Sequence, residues 1–157
     1  MIKLILCCVL CASTLMTSFE LLRRKERVAE TAGELSDIIG KMISLMRFES
    51  ADVYTLCREC FTDGYPQFQA ITDGNFHQLW LISCQSISAD AETMRLFKLV
   101  GEILGTSDTQ SQTDRLQVIR DDLRDHAKSL KQRNAGQKKL YTTLGALSGL
   151  AVTILII

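Results

Sequence analysis

Two cysteines in a C-x-x-C arrangement are the residues of this chain with the most evident potential for chemistry. The run Cys57-Arg58-Glu59-Cys60 has the spacing of redox and zinc sites. A zinc site needs four ligands, and besides this pair the middle of the chain offers only Cys84, His77 and His126. Both cysteines also fall on the apolar stripe of their own predicted helix. The pattern therefore favours core cysteines over a metal or redox site.

Other patterns that could carry catalysis lack an essential part. Residues 101–107 look like a phosphate-binding loop, but no lysine follows the second glycine and no predicted strand precedes the run. The acids Asp121, Asp122 and Asp125 alternate with arginines, which is typical of a solvated, salt-bridged helix face. The sequence thus carries no enzyme signature, and it predicts no cofactor and no metal.

The elements that position these residues are predicted to be helices. From residue 28 to residue 46 the apolar side chains recur at steps of three and four, and further stripes of this kind follow the predicted N-cap Asp52. Gly105 fits the end of one helix, and Ser107-Asp108-Thr109-Gln110 predicts a capping box that opens the last one. The middle of the chain is therefore predicted to be all-α, a bundle of about five or six helices.

Both ends of the chain are apolar, and their basic residues lie on the flanks that face the middle. Such flanks stay on the cytoplasmic side of a bilayer. We therefore expect transmembrane helices at residues 1–22 and 140–157, a cytoplasmic helical-bundle domain at 23–139, and both termini outside. The residues that would fix this orientation are Arg23, Arg24, Lys25, Lys138 and Lys139.

The first segment also fits a second interpretation. A basic start, an apolar stretch and small residues describe a cleaved signal peptide, which would leave a secreted or surface-tethered helical bundle. Two features favour retention of the segment. Met16-Thr17-Ser18-Phe19 is a poor cleavage site, and the basic cluster at residues 23–25 resists translocation of the residues after it.

The second apolar segment contains a G-x-x-x-G pair, Gly145 and Gly149. Both glycines lie on one helical face and allow close packing against the first segment or against another copy. Ordinary tolerance of glycine in membrane helices explains the pair equally well.

Charge limits the classes of partner. The formal net charge is zero, so the chain has no overall nucleic-acid footprint. The basic run from Lys128 to Lys139 follows the last acid, Asp125, and suits contact with anionic lipid headgroups. Orientation in the membrane explains the same run and is the favoured interpretation.

Two stretches resemble the stage III sporulation protein AB family of endospore-forming bacteria. The run KLYTTLGALSGL at residues 139–150 is similar to that family's final membrane segment. The run LVGEILGTSD at residues 99–108 is similar to its helix–turn–helix with two glycines and a Ser-Asp cap, here Gly101, Gly105, Ser107 and Asp108. The resemblance spans nearly the whole chain and is loosest at residues 64–90. At residues 48–53 the family tends to carry a turn with glycine or proline, which this chain lacks.

The resemblance implies a place and partners. The soluble domain should be similar to the cytoplasmic helical domain of inner-membrane platform proteins in type II secretion and type IV pilus machines. The partners implied are membrane lipid, the other subunits of a channel in the mother-cell membrane facing the forespore, and a secretion-type ATPase. We therefore expect a non-enzymatic platform or scaffold subunit that docks this ATPase. A small redox or metal protein using Cys57 and Cys60 is the remaining alternative.

Overall fold

Six α-helices make up the part of the chain that the structure, a computed structural model, describes. It describes the backbone of residues 2–61, 64–106 and 108–156, and the side chains of residues 20, 22–61, 64–106, 108–140 and 143. No strand occurs within those ranges, and the predicted all-α class is confirmed. In chain order the helices are α1 (Ile2–Phe48), α2 (Val53–Cys60), α3 (Pro66–Gln69), α4 (Phe76–Cys84), α5 (Ala91–Ile103) and α6 (Thr109–Ile156).

The chain divides into two compact units. The terminal unit comprises Met1–Ala29 and Lys128–Ile157, and the central unit comprises Glu30–Ala127. The central unit contains the whole of α2 to α5. It also contains most of the amphipathic stripe predicted from residue 28 onward, because that stripe occupies the part of α1 that belongs to this unit.

The core of the central unit is lined by one face each of α1 and α6. In α1 the buried apolar residues are spaced by three or four, so they share one side of the helix. The same spacing recurs in α6. The fully or nearly fully buried members of these two stripes are Leu35, Ile39, Met42 and Met46 in α1 and Leu116, Ile119, Leu123 and Ala127 in α6.

Aromatic rings fill the space that the short helices enclose. Trp80 of α4 is completely buried, and its ring centroid lies 4.9 Å from that of Phe68 and 5.1 Å from that of Phe97. Phe61 stacks on Phe68 with centroids 4.4 Å apart. The Trp80 indole N–H donates to the carbonyl of Phe97 at 3.2 Å. Each such ring pair contributes about 0.5–1.5 kcal/mol beyond the area it buries, so this cluster fixes the short helices in place.

Two of the short helices, α2 and α4, begin at residues whose side chains cap the first turn. Asp52 accepts a hydrogen bond from the Thr55 N–H at 3.3 Å, as its predicted role as N-cap requires. Asn75 caps α4 in the same way. The turn before α2 holds Ser50 at a φ of 49°, a left-handed conformation that favours glycine. This is the turn at which the resembled family tends to carry glycine or proline.

The two apolar ends belong to the longest helices. α6 runs unbroken from Thr109 to Ile156, and Gly136 does not interrupt it. α1 begins at Ile2 and likewise continues through the basic cluster. Within the described residues, no helix has an apolar stretch of the length that crossing a membrane requires. The side chains of residues 1–19 and 144–157 lie outside that description, and the spans 1–22 and 140–157 and the domain bounds 23–139 stay predictions.

Candidate functional site

The hairpin formed by α5, the turn after it and the start of α6 contains the residues on which the family resemblance rests. α5 ends at Ile103 with Leu104 as its C-cap, and α6 begins at Thr109. Five residues therefore reverse the chain between two helices. The turn and the helix faces beside it belong to the central unit.

Gly101 lets α5 approach the aromatic cluster. A Cβ atom built on this residue would lie 2.5 Å from Cγ and 2.7 Å from Nε1 of Trp80. Carbon atoms in contact are about 3.5 Å or more apart, so no other residue fits here without displacing the indole. The carbonyl of Gly101 also lies 3.4 Å from Nδ1 of His77.

Gly105 and Asp108 shape the turn itself. Gly105 has a φ of 79°, and its N–H donates to the Gln112 side chain at 3.1 Å. Asp108 is the cap of α6, because its carboxylate accepts from the Ser111 N–H at 2.9 Å. The fourth residue of this predicted set, Ser107, lies outside the described residues.

A groove of about 280 Å³ opens between α5 and α6 next to the turn. Its floor is apolar, and Val118 on its rim stays 60% exposed. Glu102 stands on the α5 side and Arg115 on the α6 side, and both side chains are exposed. An apolar groove between two opposite charges suits contact with a protein surface. The lining residues are Leu99, Glu102, Ile103, Arg115, Val118 and Ile119.

A second cavity of the central unit is polar. It measures about 300 Å³ and lies beside Tyr65, whose hydroxyl donates to the Glu34 carboxylate at 2.9 Å. Burial and that carboxylate raise the pKa of the Tyr65 phenol well above its usual range. The remaining lining residues are Thr31, Gly64, Gln67, Ser86, Ile87 and Ser88.

The predicted orienting residues lie in the terminal unit, where α1 and α6 are linked by polar contacts. The Lys25 ammonium donates to the Gln137 side chain at 2.8 Å, and Lys138 pairs with Glu26 at 3.3 Å. The Asn134 amide, which is 9% exposed, donates to the backbone carbonyl of Lys25 at 2.9 Å. Arg23, Arg24 and Lys139 are exposed, and the role of all five basic residues in orientation stays a prediction.

Comparison with known proteins decides the family. Residues 3–157, nearly the full length, match the family described as stage III sporulation protein AB. The chain belongs to the stage III sporulation protein AB family. This confirms the resemblance seen in the sequence, and it supports a role in sporulation. Neither a curated protein nor a solved structure matches the chain.

Two predicted residues of this stage III sporulation protein AB chain, Gly145 and Gly149, fall within α6. Their surroundings lie outside the described residues, so helix packing at the G-x-x-x-G pair stays a prediction.

The three cysteines of this family member whose side chains the structure describes are placed for packing. Cys57, Cys60 and Cys84 are free thiols that are at most 2% exposed. Burial raises the pKa of Cys57 to about 12, of Cys60 to about 11 and of Cys84 to about 12. A thiol is a nucleophile or metal ligand only as thiolate, so burial suppresses both roles. Among the described residues, no three His, Cys, Asp or Glu side chains are grouped to hold a metal ion.

One polar cluster of the stage III sporulation protein AB fold has no signal in the sequence. His126 Nε2 of α6 lies 2.9 Å from a carboxylate oxygen of Asp90, the N-cap of α5. Asp90 also accepts from the Thr93 hydroxyl at 2.6 Å. Partial burial raises the pKa of Asp90, but the hydrogen bonds from Thr93 and His126 outweigh it and leave a net lowering. The residues are 36 positions apart, and periodicity within each helix does not reveal such a pairing.

Proposed function

We propose that the chain is a non-enzymatic scaffold subunit of a secretion-like channel between mother cell and forespore, and that it docks a cytoplasmic ATPase. The family match over residues 3–157 is the observation that carries this proposal. In this proposal the apolar ends anchor the chain in the mother-cell membrane that faces the forespore. The basic flanks keep the central unit cytoplasmic and leave both termini outside.

The interior of the central unit supports a role in binding partner proteins rather than in catalysis. Among the described residues, every buried side-chain nitrogen or oxygen has a hydrogen-bond partner. Cys57 and Cys60, the residues with the most evident potential for chemistry, are buried, and burial raises the pKa of each thiol and keeps it protonated. A rigid, internally satisfied helical unit presents its surface to partners and keeps that surface in a fixed shape.

Phe48 is the most exposed large apolar residue among those that the structure describes, which suits it to dock a partner. It is the last residue of α1, and its side chain is 86% exposed. The neighbouring Arg47 pairs with Asp114 of α6 at 3.6 Å, on an exposed part of the surface. Covering a large aromatic side chain that is exposed to water lowers the free energy and favours binding. Aromatic residues also dominate the hot spots of protein interfaces. We therefore assign the ATPase contact to this end of α1.

The docking is tested by capture of the secretion-type ATPase of the same organism on membranes that contain the full chain. Phe48→Ala should reduce capture by roughly thirtyfold, the effect of losing a hot spot of about 2 kcal/mol. Ile82→Ala is the matched control, because Ile82 is 56% exposed on α4 and lies outside the proposed contact. Absence of capture by the unaltered chain would contradict the docking role.

The topology needs a separate test, because the native thiols of the central unit are buried. Arg58→Cys places an accessible thiol on the exposed face of α2. A membrane-impermeant thiol reagent should leave this cysteine unmodified in intact cells and modify it after lysis. Modification before lysis would contradict the cytoplasmic placement and favour the secreted or surface-tethered bundle.

A further inference from the structure

The groove between α5 and α6 is complementary to itself, and we propose that it is the contact surface between two copies of this chain. The proposal does not depend on ATPase docking, because Phe48 is not among the residues that line the groove. It is carried by the apolar lining of the groove, by two charges that have no partner within the described part of the fold, and by their placement on opposite sides.

The apolar side chains of the groove include a projection and a recess. Val118 projects from α6 with 60% of its side chain exposed. Ile103 and Ile119 line the same groove and are at most 7% exposed, and Leu99 is half-buried. A second copy has the same projecting side chain and the same recess. When two copies face each other, Val118 of each copy is covered by the groove of the other.

The two charges on the rim restrict the partner further. Glu102 on α5 and Arg115 on α6 form no hydrogen bond and no ion pair with any residue that the structure describes. A partner segment of one sign would satisfy one of them and repel the other. A surface with one acid and one base satisfies both, and a second copy carries such a surface.

Symmetry places these charges opposite their counterparts. A two-fold axis that runs along the groove sets α5 of each copy against α6 of its partner. The acid of one copy then faces the base of the other, and the pair occurs twice. The groove is small, so the two charge pairs fix the register of a weak contact rather than hold a permanent dimer.

Two tagged forms of the full chain, expressed together, test the contact. Brief formaldehyde treatment cross-links weak complexes. One tagged form is then captured in mild detergent, and the amount of the other form captured with it is measured. Glu102→Arg in both tagged forms, or Arg115→Glu in both, should reduce co-capture about tenfold or more, because each variant sets like charges against each other. Co-expression of a Glu102→Arg form with an Arg115→Glu form should restore it, since each altered copy then offers two like charges to two opposite ones.

The matched control exchanges an acid and a base elsewhere on the same unit. Glu59→Arg and Arg58→Glu alter exposed charges of α2 and should leave co-capture unchanged. Co-capture that is unaffected by the groove variants would overturn the proposal. The proposal would also be overturned if the groove variants lose co-capture and the mixed pair does not restore it. The same holds if the groove variants lose ATPase capture while their co-capture is unchanged.

Discussion

Replacing Gly101 by alanine adds one methyl group at the most crowded point of the fold. The new Cβ would lie 2.5 Å from Cγ of Trp80, about 1 Å closer than carbon atoms pack. Trp80 has little room to move, because it is completely buried and its ring packs against those of Phe68 and Phe97. The indole must therefore shift, or α5 must move outward.

The expected loss of stability is the sum of three contributions. Overpacking of a well-packed core costs about 1–3 kcal/mol, and the close packing around Trp80 places this substitution at the upper end of that range. A shifted indole also lengthens its hydrogen bond to the Phe97 carbonyl, now 3.2 Å, at a cost of about 1 kcal/mol. Alanine in a helix interior returns about 0.5–1 kcal/mol. The net loss is about 3 kcal/mol.

Urea unfolding of the full chain in mild detergent measures this loss directly. Trp80 is the only tryptophan, so its fluorescence reports on the site of the substitution. The midpoint should fall by roughly 1–2 M urea for a domain of this size. Gly33→Ala is the matched control, because no atom lies within 4 Å of a Cβ built there. That variant should be stabilised by about 0.5–1 kcal/mol.

Two results would refute this reasoning. If Gly101→Ala is as stable as the unaltered chain, α5 does not approach Trp80 as closely as the structure places it. If Gly33→Ala loses as much stability as Gly101→Ala, the effect comes from the backbone and not from contact with the indole.

Three further predictions concern the central unit. Ser50→Gly should raise the free energy of unfolding by about 0.5–1 kcal/mol, because glycine adopts the φ of 49° without strain; unchanged urea stability would contradict this. Asp90 has a pKa below its ordinary 3.8, so its ionised form contributes stability that is present above that pH and lost as the pH falls through the lower folded-state value. Asp90→Asn should remove this acid dependence from unfolding curves and lower stability at neutral pH by about 1 kcal/mol, because the amide keeps the cap but loses the negative charge at the N-terminus of α5 that His126 contacts. Replacing both Cys57 and Cys60 by alanine should cost about 1–3 kcal/mol and leave ATPase capture intact, whereas complete loss of function in a folded variant would favour the redox or metal alternative.

The sequence predicts those features whose cause is local. The helix stripe at residues 28–46, the Asp52 cap and the helix end at Gly105 each depend on residues within one or two turns of each other. The burial of Cys57 and Cys60 is a consequence of the same spacing. The sequence does not predict the groove, because the groove depends on how α5 and α6 face each other across the turn.

Features that depend on tertiary contact give no such local signal. Gly101 is recognisable as part of a family pattern, but its contact with Trp80, 21 positions earlier, depends on how α4 packs on α5. The start of α6 shows that even a local pattern predicts the helix start without predicting which side chain caps it. A capping box at residues 107–110 predicts the helix, but the carboxylate of Asp108 is the acceptor that the structure shows.

The hydrogen bond from Asn134 to the carbonyl of Lys25 joins α6 to α1, and it is less exposed than the contacts of Lys25 with Gln137 and of Lys138 with Glu26 between the same helices. An amide in this position recognises one backbone carbonyl, so sliding α6 by a single residue along α1 breaks the bond and leaves a buried polar group unsatisfied. The two helices of the terminal unit therefore resist slippage along their length. A pull applied to the end of one of them is passed on to the other rather than dissipated as relative motion.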